Sequence, residues 1–420
     1  MGASILFILA DSALVLSASI FQLLLAWLTI SITKSGLYLG LIMSLAFGIR
    51  ILFQPYCGYL VDHYHKGRLF LSAAVIFSLN IMLFTGNLLF LHYNLLITAI
   101  LVVVIEVTAT IAGSSSSIMI SLLAPSSVRT RLIGYMASLQ STQIIIGAII
   151  GGSSIALIGI HFTLIIITIM SFIAVLLAWI FRHNKALSLS DKSTQNAWNK
   201  ITQGFKILKQ LPPEYISCIA GVIDNLILPA FFMVILPVYI KLVLNLPATW
   251  LAAMEISYAI GMMLSGLAIP KLLDKGISRY QCIITANATM AVFFILFPFA
   301  NLSIQLVMML INGFALGANN IPTSTMRALA VPAKYRGRLS AAVIFSCSLL
   351  IPVGNAGFGI LTNANYLPYL DSTMIIIGIL MFIPVIILLR SRESKDAYSI
   401  SDHQLENYYA SKYQKAFTNN

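Results

Sequence analysis

Five ionisable side chains interrupt long apolar stretches of the 420-residue chain, and these residues could carry its chemistry. They are Asp11, Arg50, Glu106, Asp224 and Glu255. On insertion scales, a charged side chain at the centre of a lipid bilayer costs at least ~2.5–3.5 kcal/mol. Because an apolar residue would avoid that cost, we interpret the five as candidates for a cavity that binds protons or a substrate.

A carboxyl group in such a cavity can alternate between a neutral state and an ion-paired state. Burial favours its protonated form, whereas a neighbouring Arg favours its ionised form. Competition between a proton and a substrate for one carboxyl group would couple their movements. Arg50 could pair with Asp11 or with Glu106, and the sequence does not decide between them. The alternative for all five residues is a static buried ion pair that fixes helix positions.

Motifs of covalent chemistry are missing from the sequence. It contains no phosphate-binding Gly-Lys-Ser loop, no His-Glu-x-x-His and no Gly-x-Ser-x-Gly. The four cysteines lie in different apolar stretches, without the spacing of a metal site. We therefore expect no enzymatic activity, no metal and no cofactor. A membrane enzyme and a transport-inactive sensor or scaffold are the alternatives from other functional classes.

The composition explains what must position these residues. Hydrophobic residues make up 59% of the chain and charged residues only 9%, whereas a soluble domain has about 25% charged residues. The apolar residues form runs of roughly 20 or more, enough to cross a ~30 Å hydrocarbon core. We predict an all-α membrane protein with 12 transmembrane helices, at residues 3–31, 36–61, 69–91, 94–123, 133–159, 162–181, 214–243, 249–273, 280–300, 303–330, 339–363 and 367–390.

Lys and Arg are distributed unevenly between the predicted loops. If the N-terminus is cytoplasmic, the outer loops hold only Lys34 and Lys241, while the inner loops and the tail hold the other basic loop residues. This bias is the one that the positive-inside rule describes. We expect a multi-pass protein of the cell (inner) membrane with both termini in the cytoplasm. The net charge of +12 then faces lipid headgroups, which argues against nucleic-acid binding.

An internal repeat divides the predicted spans into two halves. Residues 124–132 and 331–339 share a Pro, two Arg and a Leu in the same order, and Asp11 parallels Asp224 at nearly the same offset. Two halves of equal orientation are parallel repeats, related by an axis along the membrane normal. The predicted organisation is a six-helix bundle at 1–181, a cytoplasmic linker at 182–213, a second six-helix bundle at 214–390 and a cytoplasmic tail at 391–420.

The linker and the tail have weaker patterns. Trp198, Ile201, Phe205 and Leu208 recur at helical spacing with lysines between them, which indicates an amphipathic helix on the inner membrane surface. A disordered linker is the alternative. The tail from Ser391 is polar, and we expect it to be mobile.

The loop after the second span has a distinctive arrangement. Gly58 is followed by Asp62 four residues later, and then by Gly67 and Arg68. This pattern resembles the signature loop of the major facilitator superfamily, and the resemblance extends over nearly the whole chain. It implies two six-helix halves and a loop that latches them together on the cytoplasmic side. An ordinary basic inner loop is the alternative.

The second half contains a shortened counterpart of this loop, in which Asp274 occupies the position of Asp62. Arg131 and Arg338 lie near the inner ends of the fifth and eleventh spans. By the same resemblance they could pair with Asp62 and Asp274 as part of the cytoplasmic gate. They could equally be anchors that fix the topology.

The fifth span contains Gly147, Gly151 and Gly152, with Ala148 where the antiporter motif of this superfamily has Pro. These glycines indicate either close helix packing or export by antiport. Softer matches resemble the macrolide-efflux and enterobactin-exporter branch. That branch implies proton-coupled efflux of an amphipathic drug or siderophore by a monomer, with protons, the substrate and the lipid bilayer as partners. Import or exchange of a small metabolite is the alternative.

Overall fold

The computed structural model describes residues 2–90, 93–123, 143, 145–184, 187, 197–401 and 404–417. Over these residues the chain is helical and contains no β-strand. Helices satisfy their own backbone hydrogen bonds, which is what a hydrocarbon environment requires. Among the described residues, eleven helices are long and apolar enough to cross a membrane, and a shorter apolar helix follows residue 144. The predicted all-α fold with 12 transmembrane helices is confirmed.

The helices of the first half, in chain order, are α1 (Gly2–Thr33), α2 (Gly36–His63), α3 (Lys66–Phe90), α4 (Leu95–Leu123), α5 (Ile145–Leu157) and α6 (Gly159–Phe181). The linker helix is α7 (Ala197–Lys209). The spans that follow are α8 (Pro212–Val243), α9 (Ala248–Asp274), α10 (Arg279–Phe299), α11 (Leu302–Ala330), α12 (Ala333–Leu361) and α13 (Leu367–Arg390). Two short tail helices are α14 (Arg392–Tyr398) and α15 (Tyr408–Lys412).

Helix α8 is irregular in its second half. It contains two five-residue π-helical segments, at Phe231–Ile235 and Tyr239–Val243. Pro229 and Pro237 lie next to these segments, and each lacks the backbone N–H that a regular helix uses. The wider π-helical turns allow the helix to continue past the prolines, although each proline lacks a hydrogen-bond donor. Such π-helical turns occur frequently at functional sites.

The chain divides into two compact units. The first contains residues 1–194, 232–256 and 355–364, and the second contains residues 195–231, 257–354 and 365–420. The end of α8, the start of α9 and the end of α12 therefore pack with the spans of the first half.

In the first unit, α1 packs against α6, and α3 packs against both α4 and α6. Phe7, Phe70 and Phe181 join three of these helices through ring centroids 5.8–6.1 Å apart. At the opposite end of the unit, Gly40 of α2 meets Gly359 of α12. A Cβ atom on Gly359 would lie 2.9 Å from the Cα atom of Gly40. Only glycine allows this backbone contact.

In the second unit, the linker helix α7 packs against α12. Phe205 meets Phe345 edge-to-face, with ring centroids 6.1 Å apart, and Ile207 and Leu208 are buried. The side chain of Arg338 donates a hydrogen bond to that of Gln203. The predicted helix is therefore present, and its described apolar side chains, Phe205, Ile207 and Leu208, pack within the second unit. For these side chains, the packing differs from the expected position on the membrane surface.

The tail also folds onto the second unit. Arg279 donates a hydrogen bond to the carbonyl of Ile400 (3.0 Å), and the hydroxyl of Tyr335 donates to the carbonyl of Phe417 (3.1 Å). The side chain of Leu405 is fully buried. The expectation of a mobile tail is corrected by these contacts.

The tail completes a buried polar cluster around Glu214, near the start of α8. The Tyr409 hydroxyl donates to Glu214 Oε1 at 3.0 Å, and the Tyr398 hydroxyl lies 3.5 Å from the same oxygen. Arg327 Nε is 3.5 Å from Glu214 Oε2. Both tyrosine rings are fully buried. Two tail residues and one residue of α11 thus compensate a carboxyl group that has no access to water.

We predict that Tyr409→Phe lowers the free energy of unfolding by about 1.5–3 kcal/mol, because it removes a hydrogen bond to a buried charged group. Unfolding of the purified protein in detergent, followed by circular dichroism, measures this loss. Tyr369→Phe is the matched control, because the Tyr369 side chain is 63% exposed. Equal stability of the Tyr409→Phe variant and wild type would contradict the compensating role of the tail.

Candidate functional site

Arg50 of α2 and Glu106 of α4 form an ion pair. Arg50 Nη1 donates to Glu106 Oε2 at 3.2 Å, and the guanidinium carbon lies 5.3 Å from the centre of the Phe47 ring. The Arg50 side chain is 45% exposed and that of Glu106 17% exposed, so the Arg remains open to a ligand. Of the two partners that the sequence allowed for Arg50, the structure selects Glu106.

Asp11 is buried in α1, two turns into the first span. The side chain of Ser116 on α4 is its polar neighbour, and Asp11 Oδ2 accepts no hydrogen bond from any side chain or backbone group that the structure describes. The side chain of Asp11 is 3% exposed. The first unit therefore contains a buried carboxyl group whose hydrogen-bonding capacity is only partly satisfied by the described residues.

Asp224 occupies the equivalent position in α8 and has a different environment. Asn319 Nδ2 lies 3.5 Å from Asp224 Oδ2, and Asn287 Nδ2 donates to Asn319 Oδ1 at 3.2 Å. The Tyr258 hydroxyl of α9 lies within range of an electrostatic interaction with Asp224. Within the described residues, Asp224 Oδ1 has no hydrogen-bond partner. Asn319 thus approaches the Asp224 carboxyl group directly, and Asn287 holds Asn319.

The sequence did not identify Asn287 and Tyr258 as parts of this site. A single Asn in an apolar span is the only signal that Asn287 gives, and interhelical hydrogen bonding explains most such residues. Tyr258 gives no signal, because Tyr is common in membrane spans. Only the fold brings both toward Asp224.

Glu255 of α9 is half-buried. Among the side chains that the structure describes, none forms a hydrogen bond or an ion pair with the Glu255 carboxyl group. Asp224 belongs to the second unit and Glu255 to the first. The structure therefore joins the five ionisable candidates into one pair, Arg50 with Glu106, and leaves three carboxyl groups in separate environments.

Three buried amides add to the polar groups inside the spans. Gln143, Asn312 and Asn355 are 0–1% exposed, and both polar atoms of each side chain lack a partner among the described residues. Such groups favour a polar ligand, because an unpaired buried amide is costly.

The gate motif is resolved in part. Gly58 and Asp62 belong to the last turns of α2, and the side chain of Asp62 lies outside what the structure describes. Gly67 sits at the start of α3, where a Cβ atom would be 2.9 Å from the carbonyl oxygen of Arg182. Arg68 Nη2 is 3.5 Å from His183 Nδ1. This end of the motif contacts the C-terminal end of α6.

The other predicted gate residues divide between described and undescribed parts of the chain. Asp274 is exposed at the end of α9. Arg338 contacts Gln203 and lies 5.8 Å from the centre of the Tyr335 ring. Arg131 lies outside the described residues.

The glycines of α5 allow close helix packing. A Cβ atom on Gly147 would lie 2.7 Å from that of Ser19 in α1, and one on Gly152 would be 3.2 Å from the carbonyl oxygen of Ala248 in α9. Gly151 faces Ile20 at ordinary contact distance. The packing interpretation of this motif therefore has direct support, and the antiport interpretation stays a prediction.

Comparison with known proteins places this arrangement in a family. The sequence profile of the Major Facilitator Superfamily matches residues 6–355 and 230–419. Among curated proteins, none has significant sequence similarity to the chain.

Several solved structures share the fold. The nucleoside transporter NupG has a TM-score of 0.75 at 13% identity, over 93% of this chain and 98% of NupG. A bacterial homologue of the human lysosomal transporter Spinster has a TM-score of 0.71 at 12% identity, over 96% and 97% of the two chains. A D-xylose–proton symporter has a TM-score of 0.66 at 15% identity, over 94% and 97%. At these identities the similarity establishes the fold alone.

We predict that Arg50→Gln and Glu106→Gln are energetically coupled by about 0.5–1 kcal/mol, a low value because Arg50 is partly exposed. A double-mutant cycle on the free energy of unfolding in detergent measures this coupling. The control cycle combines Arg50→Gln with Asp11→Asn, for which we expect additive effects. Coupling of Arg50 to Asp11 but not to Glu106 would contradict the observed pairing.

Proposed function

The chain belongs to the major facilitator superfamily, and from this membership we propose that it is a proton-coupled secondary transporter that exports an amphipathic small molecule. The substrate class is a drug or a siderophore. Transport occurs by alternating access, in which one six-helix half rocks against the other. The chain is a multi-pass membrane protein.

The observation that carries this proposal is the incomplete compensation of Asp11 and Asp224. Each lies in the first span of its half, and each has one carboxylate oxygen without a hydrogen-bond partner among the described residues. A proton or a cationic group of the substrate can compensate such a carboxylate, but both cannot do so at once. This exclusion is the coupling that antiport requires.

The Arg50–Glu106 pair supplies a second element. A substrate that carries a carboxylate or a polarised oxygen can approach the exposed part of the Arg50 guanidinium. Glu106 would then lose a partner and become able to accept a proton. The pair thus connects substrate binding to proton binding within the first unit.

The proposed membrane orientation rests on the distribution of charge. We place both termini on the cytoplasmic side of the cell (inner) membrane, because the outer loops then hold only two basic residues. The functional unit is a monomer with halves at 1–181 and 214–390. The tail residues Tyr398 and Tyr409 contact Glu214 within the second unit.

Import or exchange of a small metabolite is the second candidate. The amides of Asn287 and Asn312 are buried in the second unit and that of Asn319 is partly buried, and amides suit a hydroxyl-rich substrate. A protein of similar fold is named as a D-xylose–proton symporter. Sugars and nucleosides therefore belong among the compounds tested.

We predict that an amphipathic ligand displaces protons from the purified protein and that Asp224→Asn or Asp11→Asn abolishes the response. A pH indicator in weakly buffered detergent solution reports the release, with macrolides, other amphipathic drugs, siderophores, sugars and nucleosides as ligands. Asp371→Asn is the matched control, because Asp371 is exposed at the start of α13.

Two outcomes would change the proposal. Binding without proton release in wild type, Asp11→Asn and Asp224→Asn would contradict proton coupling. Proton release by sugars or nucleosides, and not by amphipathic drugs, would favour the metabolite transporter.

A further inference from the structure

A cluster of basic and imidazole side chains lies where α3 begins and α6 ends, inside the first unit. It consists of His65, Arg68, Arg182 and His183, and we call it the basic cluster. Its members lie within hydrogen-bonding or electrostatic range of one another. None of them belongs to the carboxyl sites proposed for transport, so the cluster needs its own explanation.

His183 lies between the two arginines. Arg182 Nε donates to His183 Nε2 at 2.9 Å, and Arg68 Nη2 is 3.5 Å from His183 Nδ1. A neutral imidazole has one acceptor nitrogen, and a protonated imidazole has none. At least one guanidinium group therefore faces an N–H group. None of the described side chains supplies an anion that accepts from both arginines.

The electrostatic environment of the cluster also favours binding of an anion. Burial and then the charge of Arg68 lower the pKa of His65 below its ordinary value. Among the side chains that the structure describes, no carboxylate forms an ion pair with Arg68 or Arg182. Within the described part of the chain, no carboxylate compensates the positive charge of the cluster.

The backbone adds further donors. Helix α3 begins at Lys66, and its first regular hydrogen bond joins Leu69 N–H to the carbonyl of His65. The preceding N–H groups have no acceptor within the helix, and a helix N-terminus favours anions. Gly67 allows this helix end to touch Arg182, because any side chain there would meet the Arg182 carbonyl oxygen at 2.9 Å.

The surface next to the cluster is apolar and faces lipid. Leu176, Trp179 and Ile180 of the membrane span α6 are 59–66% exposed. The Arg182 guanidinium stacks on the Trp179 ring, 4.1 Å from its centre. A ligand for this place therefore has an anionic group for the arginines and an apolar chain for the surface of α6.

We propose that the basic cluster binds the phosphate headgroup of an anionic phospholipid. Arg68 and Arg182 donate to the phosphate oxygens, since guanidinium groups match phosphate geometry. The acyl chains lie along Leu176, Trp179 and Ile180. Bound lipid joins the start of α3 to the end of α6, and so fixes the loop that carries Gly67 and Arg68.

The test compares lipid retention by the full-length protein in native mass spectrometry, with phosphatidylglycerol and phosphatidylcholine as probes. We expect wild type to prefer phosphatidylglycerol, and Arg68→Gln with Arg182→Gln to reduce that preference about tenfold. Lys271→Gln with Lys275→Gln removes the same charge at exposed positions in the last turn of α9 and just after it, and should leave the preference intact. Arg68→Gln alone, at an exposed position, replaces the double variant if that variant does not fold.

Two results would overturn the proposal. One is an equal preference for phosphatidylglycerol in wild type and the arginine variant. The other is displacement of phosphatidylglycerol by millimolar inorganic phosphate, which would make the cluster a site for free phosphate and not for lipid. Retention of phosphatidylglycerol against inorganic phosphate supports the lipid headgroup as the ligand.

Discussion

A carboxyl group inside a membrane must be compensated by a proton, a cation or hydrogen bonds, and this requirement governs how the helices hold their polar residues. The chain meets it to different degrees. Glu106 has a guanidinium partner, and Glu214 has an Arg and two tyrosine hydroxyls. Asp11 and Asp224 each keep an oxygen without a partner among the described residues. Full compensation suits a structural role, whereas incomplete compensation leaves room for a ligand that enters and leaves.

Glycine residues allow the close helix contacts that stabilise the fold. Between helices in lipid there is little hydrophobic driving force, so close contact and hydrogen bonds must hold them together. Gly40 and Gly359 bring two helices into backbone contact, and Gly147 lets α5 approach the Ser19 side chain of α1 closely. Gly67 admits the carbonyl of Arg182. The steric contact with Arg182 therefore explains why glycine occupies this position of the signature loop in this chain.

The spans and the fold were predictable from the sequence, because bilayer thickness fixes the length of apolar runs. The partner of Arg50 was not, since helix rotation decides whether Asp11 or Glu106 faces it. The folded tail was not predictable either. Its polar composition conceals Tyr398 and Tyr409, whose burial depends on a contact with Glu214 far away in sequence. Patterns along one helix are visible in a sequence, whereas contacts between helices are not.

The two halves differ in whether the chain itself supplies partners for the charged residues at the ends of their helices. In the second half the tail returns and places its own hydroxyl groups on a buried carboxyl group at Glu214. The first half is followed by a linker whose helix α7 packs on α12, so no described segment covers Arg68 and Arg182 with an acid. The chain itself therefore supplies the partners of Glu214. The basic cluster instead has a positive charge and a neighbouring apolar surface that suit an anionic lipid.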